Sequence, residues 1–530
     1  MSNPDHAVMI GRKKPQVVLS ALAVWFVLFF FIIWPWIHRF DRFDMPLSVL
    51  AHLSAVVWWL VLLWAFHYLA FEICGLYCRV SFLTNASKDL PSVAILYTTC
   101  DDFEHQCCQS CVDQDYANCR VFVCDDSIGD KYKSSVEEFC SKQDVQLVRR
   151  QNRRGYKAGN LNHAIRNRVK EDYKYILLAD ADQSVPRNFV TQLVRELSSA
   201  AENVAFVQAA HVAESTTESS QFQRELALGV STFYIRDMAV RDSFGFVPLL
   251  GHGALIKRQV LEEVEGFPEV VAEDFALSLV FARNRWRGSY VRHVVSGEAL
   301  PFDFGGFMTR IRKFAGGTAE LVKDSLGSFL KGPSSLVEKW DFLMMIGWYL
   351  MPPIVTANGF LSAYVCHAFW IEKESYLHPL LPFLFIWLWF AQFVVGLSVA
   401  DRWWSALRFY FWATAVYTSA LPLTGYSFLK HLIVRPCFER TPKGRVAQPL
   451  RGRDIALMVG LGLCALILSV EWFSPVSPLL AGQGVAYLSY PLYGRLCVNS
   501  LVGRMARVLI YLPGILSIVS LYTMWAWNYF

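Results

Sequence analysis

Asp180 and Asp182 close the run Tyr175–Asp182 (YILLADAD), one residue apart at the end of an apolar stretch. On extended backbone alternate side chains share a face, so both carboxylates stand at the tip of a buried strand. Paired hard oxygen donors there suit a divalent cation completed by water and substrate phosphates; ordinary turn chemistry is the plainer alternative. Four further clusters could meet them. Asp125-Asp126 end the run Cys119–Cys124 and could hydrogen-bond a nucleoside base or ribose, or only turn the chain. Arg153, Arg154 and Lys157 stand with Gly155 and Gly159 just before a helix, where cations and free amides attract phosphate. Glu273-Asp274 follow a Gly-Phe-Pro turn and open an apolar helix, where a capping pair is the plainer reading. Arg310-Ile311-Arg312-Lys313-Phe314 precedes a long apolar segment and reads by itself as an interfacial basic helix facing anionic lipid.

These clusters need a scaffold. Ser92–Tyr97, Cys119–Cys124, Asp144–Val148, Tyr175–Ala179 and Val204–Gln208 read as strands, with a helix over Leu161–Val169. Apolar strands alternating with helices imply a mostly parallel sheet covered on both faces, with ligands beyond the carboxyl ends of the strands. Both acidic pairs fall at such ends. Neither a Walker A nor a G-x-G-x-x-G run is present, so the usual ATPase and dinucleotide sites lack their phosphate loops. Cys108-x-x-Cys111 is half a zinc pattern without a second pair at suitable spacing. The net charge of +5 carries no nucleic-acid signature.

The chain has 530 residues, 54% hydrophobic, with 18 Trp and 39 Phe, and the apolar residues are unevenly spread. Val17–Ile37, Leu47–Leu69, Asp341–Trp370, Leu380–Ala400, Ile455–Phe473 and Val508–Trp527 are each near the roughly 20 residues that cross a bilayer. The expected organisation is a membrane region over 1–88 with two spans, an aqueous domain over 89–300, amphipathic interface helices over 301–340, and a second membrane region over 341–530 with a basic loop at 430–453. The first span has no cleavage site and is read as retained. Arg12, Lys13 and Lys14 precede it, which places the aqueous domain on the cytoplasmic side. The seven cysteines from Cys100 to Cys140 would be free thiols there. The chain ends within an apolar run, so no C-terminal regulatory domain is expected, and control by a separate accessory or export subunit stays open.

Taken in order, CDDS (Cys124–Ser127), KAGNLN (Lys157–Asn162), ADAD (Ala179–Asp182), AED (Ala272–Asp274) and RIRKF (Arg310–Phe314) resemble the membrane-embedded family-2 glycosyltransferases, the class of cellulose, chitin and hyaluronan synthases. The resemblance covers about 92–314. It implies a GT-A nucleotide-sugar domain with a mixed, mostly parallel sheet, inserted in an α-helical membrane protein of about six to eight spans. The stretch Phe438-Glu439-Arg440-Thr441-Pro442-Lys443 resembles the family's gating loop F-x-V-T-x-K, so Phe438, Thr441 and Lys443 would cover bound nucleotide. If Ser405–Leu423 crossed the bilayer this basic loop would lie outside, so that segment is read as interfacial or re-entrant.

By the resemblance the reaction is inverting transfer from a UDP-sugar to a growing polysaccharide, with export across the cytoplasmic membrane. Asp125, Asp126, Arg153, Arg154, Lys157 and Asp180 would bind the nucleotide sugar. Asp182, with Asp180 on metal or ribose, would hold Mg²⁺ or Mn²⁺. Asp274 is the expected general base, and Glu273, Arg310, Lys313 and Phe314 belong to the acceptor and diphosphate side. Two departures stand out. Arg310-x-x-Lys313-Phe314 replaces Q-x-x-R-W, exchanging a bidentate guanidinium for an ammonium and an indole for a phenyl. Leu249-Leu250-Gly251-His252-Gly253 stands where cellulose synthase has F-C-G-S. These favour the alternative of a non-processive enzyme with a membrane-lipid acceptor. A nucleotide-sensing transporter is the third class, and only His52 and His67 offer it intramembrane ionisable groups. Membrane aromatics such as Trp348, Trp412 and Tyr417 serve packing or the lipid belt, and a few could line a sugar path.

Overall fold

The computed structural model describes residues 15–77, 90–213, 219–372, 393, 397, 400, 402–438, 448–497 and 500–527. Two helices open it, α1 (Gln16–Leu28) and α2 (Met45–Tyr77), joined face to face where Trp25 stacks on Trp59 with ring centroids 3.9 Å apart.

The aqueous domain is one eight-stranded sheet in the order β3-β2-β1-β4-β7-β6-β8-β5. Its first half is parallel: β1 (Val93–Thr99), β2 (Cys119–Asp125), β3 (Gln146–Arg149) and β4 (Tyr175–Asp180). The strand positions agree with the apolar runs because these strands are buried on both faces. Ile95, Tyr97, Val121 and Leu177 enter one core, and Ala94, Leu96, Phe122 and Leu178 the other. The second half holds β5 (Gln183–Ser184), β6 (Val204–Ala213), β7 (Ala254–Lys257) and β8 (Arg287–Glu298). There the parallel expectation gives way, since β7 runs antiparallel to both β4 and β6 while β6 and β8 are parallel. The sheet is mixed. Its functional helices are α3 (Tyr156–Asn167), α4 (Met238–Phe244) and α5 (Glu273–Arg283).

Helix α6 (Phe304–Asp324) leaves the domain, and α7 (Leu336–Ile371) starts on a Ser335–Glu338 capping box. Helix α8 (Trp403–Ile433) packs along α6, where the Ser427 hydroxyl donates to the Arg312 carbonyl at 3.1 Å. Helix α9 (Gly452–Glu471) follows. Four helices among the described residues are long and apolar enough to cross a bilayer: Met45–Phe71, Leu336–Ile371, Gly452–Glu471 and Leu501–Trp527. This is the make-up of a membrane protein. The expected Val17–Ile37 span is broken into α1, a π-helical turn and a short helix, and nearly all of Leu380–Ala400 lies outside the described residues.

Membrane helices and domain meet at a sealed ionic joint. Arg241 of α4 places Nε 3.1 Å from Asp341 Oδ2, and His67 of α2 places Nε2 3.4 Å from Oδ1. All three side chains are inaccessible to water. The Phe246 amide donates to Asp341 at 2.8 Å, and Trp340 Nε1 donates to His67 Nδ1 at 3.2 Å. Removing one member of such a buried set leaves a bare charge and costs about 3–5 kcal/mol.

Candidate active site

The tips of β1–β3 form one wall of a cleft. Asp125 is completely buried: its Oδ1 accepts the Ser127 amide at 2.8 Å and its Oδ2 accepts both Nε and Nη2 of Arg149, at 3.0 and 2.6 Å. Asp126 accepts Arg150 bidentately at 2.8 and 2.6 Å. Arg150 also donates to the carbonyls of Arg154 and Tyr156, so it shapes the loop that enters α3. Neither arginine was singled out in the sequence. The signal was a twin Arg at a strand end, but its meaning lay in the register that seats Asp125 beside Arg149. Arg153 instead donates to Cys100 Sγ at 2.7 Å, and Arg154 is almost wholly exposed, 3.9 Å from Glu269.

The opposite wall joins β4 to α5 through one ammonium. Lys157 Nζ donates to Asp180 Oδ1 at 2.5 Å and to the Gly251 carbonyl at 2.8 Å, and lies 3.8 Å from Glu273 Oε1. Thr98 Oγ1 donates to the same Asp180 oxygen at 2.8 Å. Gly251 must be glycine: its φ is +81°, and a Cβ would stand 2.9 Å from Asp274 Oδ2. Burial, then the neighbouring Asp274 charge, pushes the Glu273 carboxyl up to about 7 despite Lys157 and Lys313. Burial likewise raises Asp274. Lys157 loses proton affinity to burial but regains more from Asp180 and Glu273, for a net rise. Lys313 goes the other way, lowered by burial. Behind this wall lies a buried polar layer that the sequence did not reveal: His211 Nδ1 meets Ser296 Oγ at 2.7 Å, and its ring lies 4.1 Å from that of His252.

On α6, Arg310 Nη2 pairs with Glu298 Oε1 at 3.0 Å, and the Asp182 charge registers on the same guanidinium. Phe314 lies under Arg310 at 5.4 Å and is 40% exposed. Phe438 closes the mouth: its ring is 5.9 Å from Tyr156, stacked, and Lys313 Nζ sits 4.5 Å over it. The far end of this loop is pinned where the Gln448 amide donates to Asp303 at 2.6 Å. Thr441 and Lys443 lie outside the described residues. The structure thus gathers Lys157, Asp180, Glu273, Asp274 and Lys313 into one group, with Asp182, Arg310 and Phe438 at its edge.

Among the described residues no three His, Cys, Asp or Glu side chains cluster closely enough to hold an ion by themselves. Mg²⁺ and Mn²⁺ do not require that, since they bind through one or two carboxylates plus substrate phosphates. Asp180 and Asp182, at and just past the end of β4, would fit this donor set; Lys157 now holds Asp180.

The site sets a buried and a half-buried acid, Glu273 and Asp274, beside two lysines at the end of a mixed sheet. Over residues 175–424 the chain matches the family model described as Glycosyl transferase family group 2. More particularly, it is similar to processive polysaccharide synthases. It is 25% identical over 281 residues to a probable glucomannan 4-beta-mannosyltransferase of Oryza sativa subsp. japonica, covering 52% of this chain and 46% of that one. It is 31% identical over 192 residues to a cellulose synthase catalytic subunit (UDP-forming) of Komagataeibacter sucrofermentans, covering 34% and 24%. The chain therefore spans about half, or less, of the length of these relatives. The solved mannosyltransferase PcManGT from Pyrobaculum calidifontis, in complex with GDP-Man and Mn²⁺, superposes with a TM-score of 0.46 at 19% identity, over 72% of this chain and 96% of that one.

Proposed function

We propose that the protein transfers a sugar from a UDP-sugar, with inversion, to a growing polysaccharide on the cytoplasmic side of the cytoplasmic membrane, and exports the product through its membrane helices. The observation that carries this reading is the Glu273–Asp274 pair, raised in pKa and facing Asp180 across Lys157. A carboxylate whose pKa is lifted toward neutrality is a better general base, a role worth about 10²–10⁴ in rate.

Asp274 takes the acceptor hydroxyl proton as that oxygen attacks the anomeric carbon. The bond from that carbon to the diphosphate oxygen breaks, and UDP leaves with its electron pair. A single base without a covalent nucleophile gives inversion. The bacterial relative's description as UDP-forming supports UDP as the leaving group. Asp182 and Asp180 would hold Mg²⁺ or Mn²⁺, which when bound neutralises charge developing on the diphosphate. Lys157 and Lys313 add cationic charge at the same place, and Phe438 excludes water. Asp125 and Asp126, fixed by their arginines, shape the nucleoside wall.

Transfer to a membrane lipid is the second reading, favoured by Arg310, Lys313 and Phe314 standing where the resemblance expects Q-x-x-R-W. Purified protein given labelled UDP-sugars decides between them: long lipid-free product supports the polymer, while a single-sugar, organic-soluble product supports the lipid. Absence of UDP release from every donor tried would sink both.

A further inference from the structure

The turn from α5 into β8 reads Ala282-Arg283-Asn284-Arg285-Trp286-Arg287-Gly288, three arginines in five positions. Elsewhere in the domain buried or half-buried arginines face acids: Arg149 on Asp125, Arg150 on Asp126, Arg310 on Glu298, Arg312 on Asp454. Among the described residues no ion pair joins Arg283, Arg285 or Arg287 to a carboxylate. Arg285 holds φ at +65°, a left-handed conformation uncommon for a residue with a side chain.

Arg285 and Arg287 line a cavity of about 380 Å³, closed on its other side by Pro333, Ser334 and Glu338 at the foot of α7. Glu338 is spoken for: its Oε2 accepts the Ser335 amide at 2.9 Å and the Ser335 hydroxyl at 2.7 Å. Arg283 packs its stem beside Gly332 at the rim. At the same level Leu336, the first residue of α7, is 84% exposed, as an apolar side chain is where a span meets the bilayer surface. The cavity therefore combines a polar entrance, two guanidinium groups without acid partners, and a position at the membrane boundary.

We infer that this cavity is an anion site that takes a phosphate group, with Arg285 and Arg287 as its donors and a phospholipid headgroup or free phosphate as its source. Guanidinium forks match phosphate oxygens two at a time, which ammonium groups cannot. The site lies outside the sugar-transfer cleft and does not depend on the sugar chemistry, so Asp274→Asn protein should bind as wild type.

The test uses full-length, delipidated protein in detergent, titrated with short-chain phosphatidylglycerol, with short-chain phosphatidylcholine, and with inorganic phosphate. Saturable binding of phosphatidylglycerol is expected, weakened about tenfold or more in Arg285→Gln/Arg287→Gln. Unchanged melting and UDP binding are the folding check. If the double variant does not fold, Arg285→Gln alone, at an exposed position, should weaken binding several-fold. Equal saturation by inorganic phosphate with the same dependence on the arginines upholds the site and identifies free phosphate as its source. Binding of all three probes that ignores both variants, or no saturable binding by wild type, overturns the inference.

Discussion

The two walls of the cleft handle charge in opposite ways. On the β1–β3 side each acid meets an arginine in a multiply hydrogen-bonded pair, Asp125 with Arg149 and Asp126 with Arg150. On the β4–α5 side Asp180, Glu273 and Asp274 share Lys157 and Lys313, and burial lifts both acids of α5. The first wall is settled and the second is left short of compensation. Chemistry that needs a proton acceptor belongs on the second, where a carboxylate still gains by taking one; the first supplies shape.

Substitutions on each wall test that division. The largest effect is expected for Asp274→Asn, with turnover falling about 10²–10⁴-fold while UDP binding, measured by calorimetry, stays within a few-fold. Near-normal turnover would remove Asp274 as the base. Asp125→Ala should act on stability instead, costing about 1.5–3 kcal/mol through the lost charge-assisted hydrogen bonds from Arg149, which keeps Glu137, read as a lower melting temperature. Loss of activity at unchanged stability would mean that Asp125 reaches substrate and is not merely structural.

Glu273→Gln sharpens the contrast through pH. A folded pKa near 7, above the usual 4.5, means that the native state holds a proton the unfolded chain has released. Stability from this group is complete below about 4.5 and is lost as pH rises through 7. The variant should therefore melt at a higher temperature than wild type above pH 7 and show a flatter profile between these values. A steeper slope in the variant would contradict the shift. The smallest effect is expected for Phe438→Ala, which removes a stacking partner and a cation–π contact worth about 0.5–1 kcal/mol. A rise of a few-fold in KM for the donor, with little change in kcat, is the expected reading.

Much of this was legible beforehand where information is local. Strands β1, β2 and β4 were visible because central strands are apolar on both faces, and the clusters were visible because charged residues interrupt apolar runs. Partnerships were not. Lys157 read as a phosphate ligand, and its bond to Asp180 of another element was not visible; Asp125 read as a nucleoside contact, and the strand register that seats it beside Arg149 was not visible either. Register is a property of the assembled sheet and leaves little trace in one strand. The antiparallel placement of β7 was hidden for the same reason, since a short apolar run carries no direction. Phe314 read as a stacking face, and its contact with Arg310 one helical turn away was not singled out.

The joint among Arg241, Asp341 and His67 sets the height at which the enzyme works. Lifting the aqueous domain off its helices would pull a guanidinium and a carboxylate apart in a water-free setting, so the cleft rides at a constant level above the lipid. On the proposed function, movement during a cycle would fall to small parts beside the Lys157 group, such as the segment bearing Phe438.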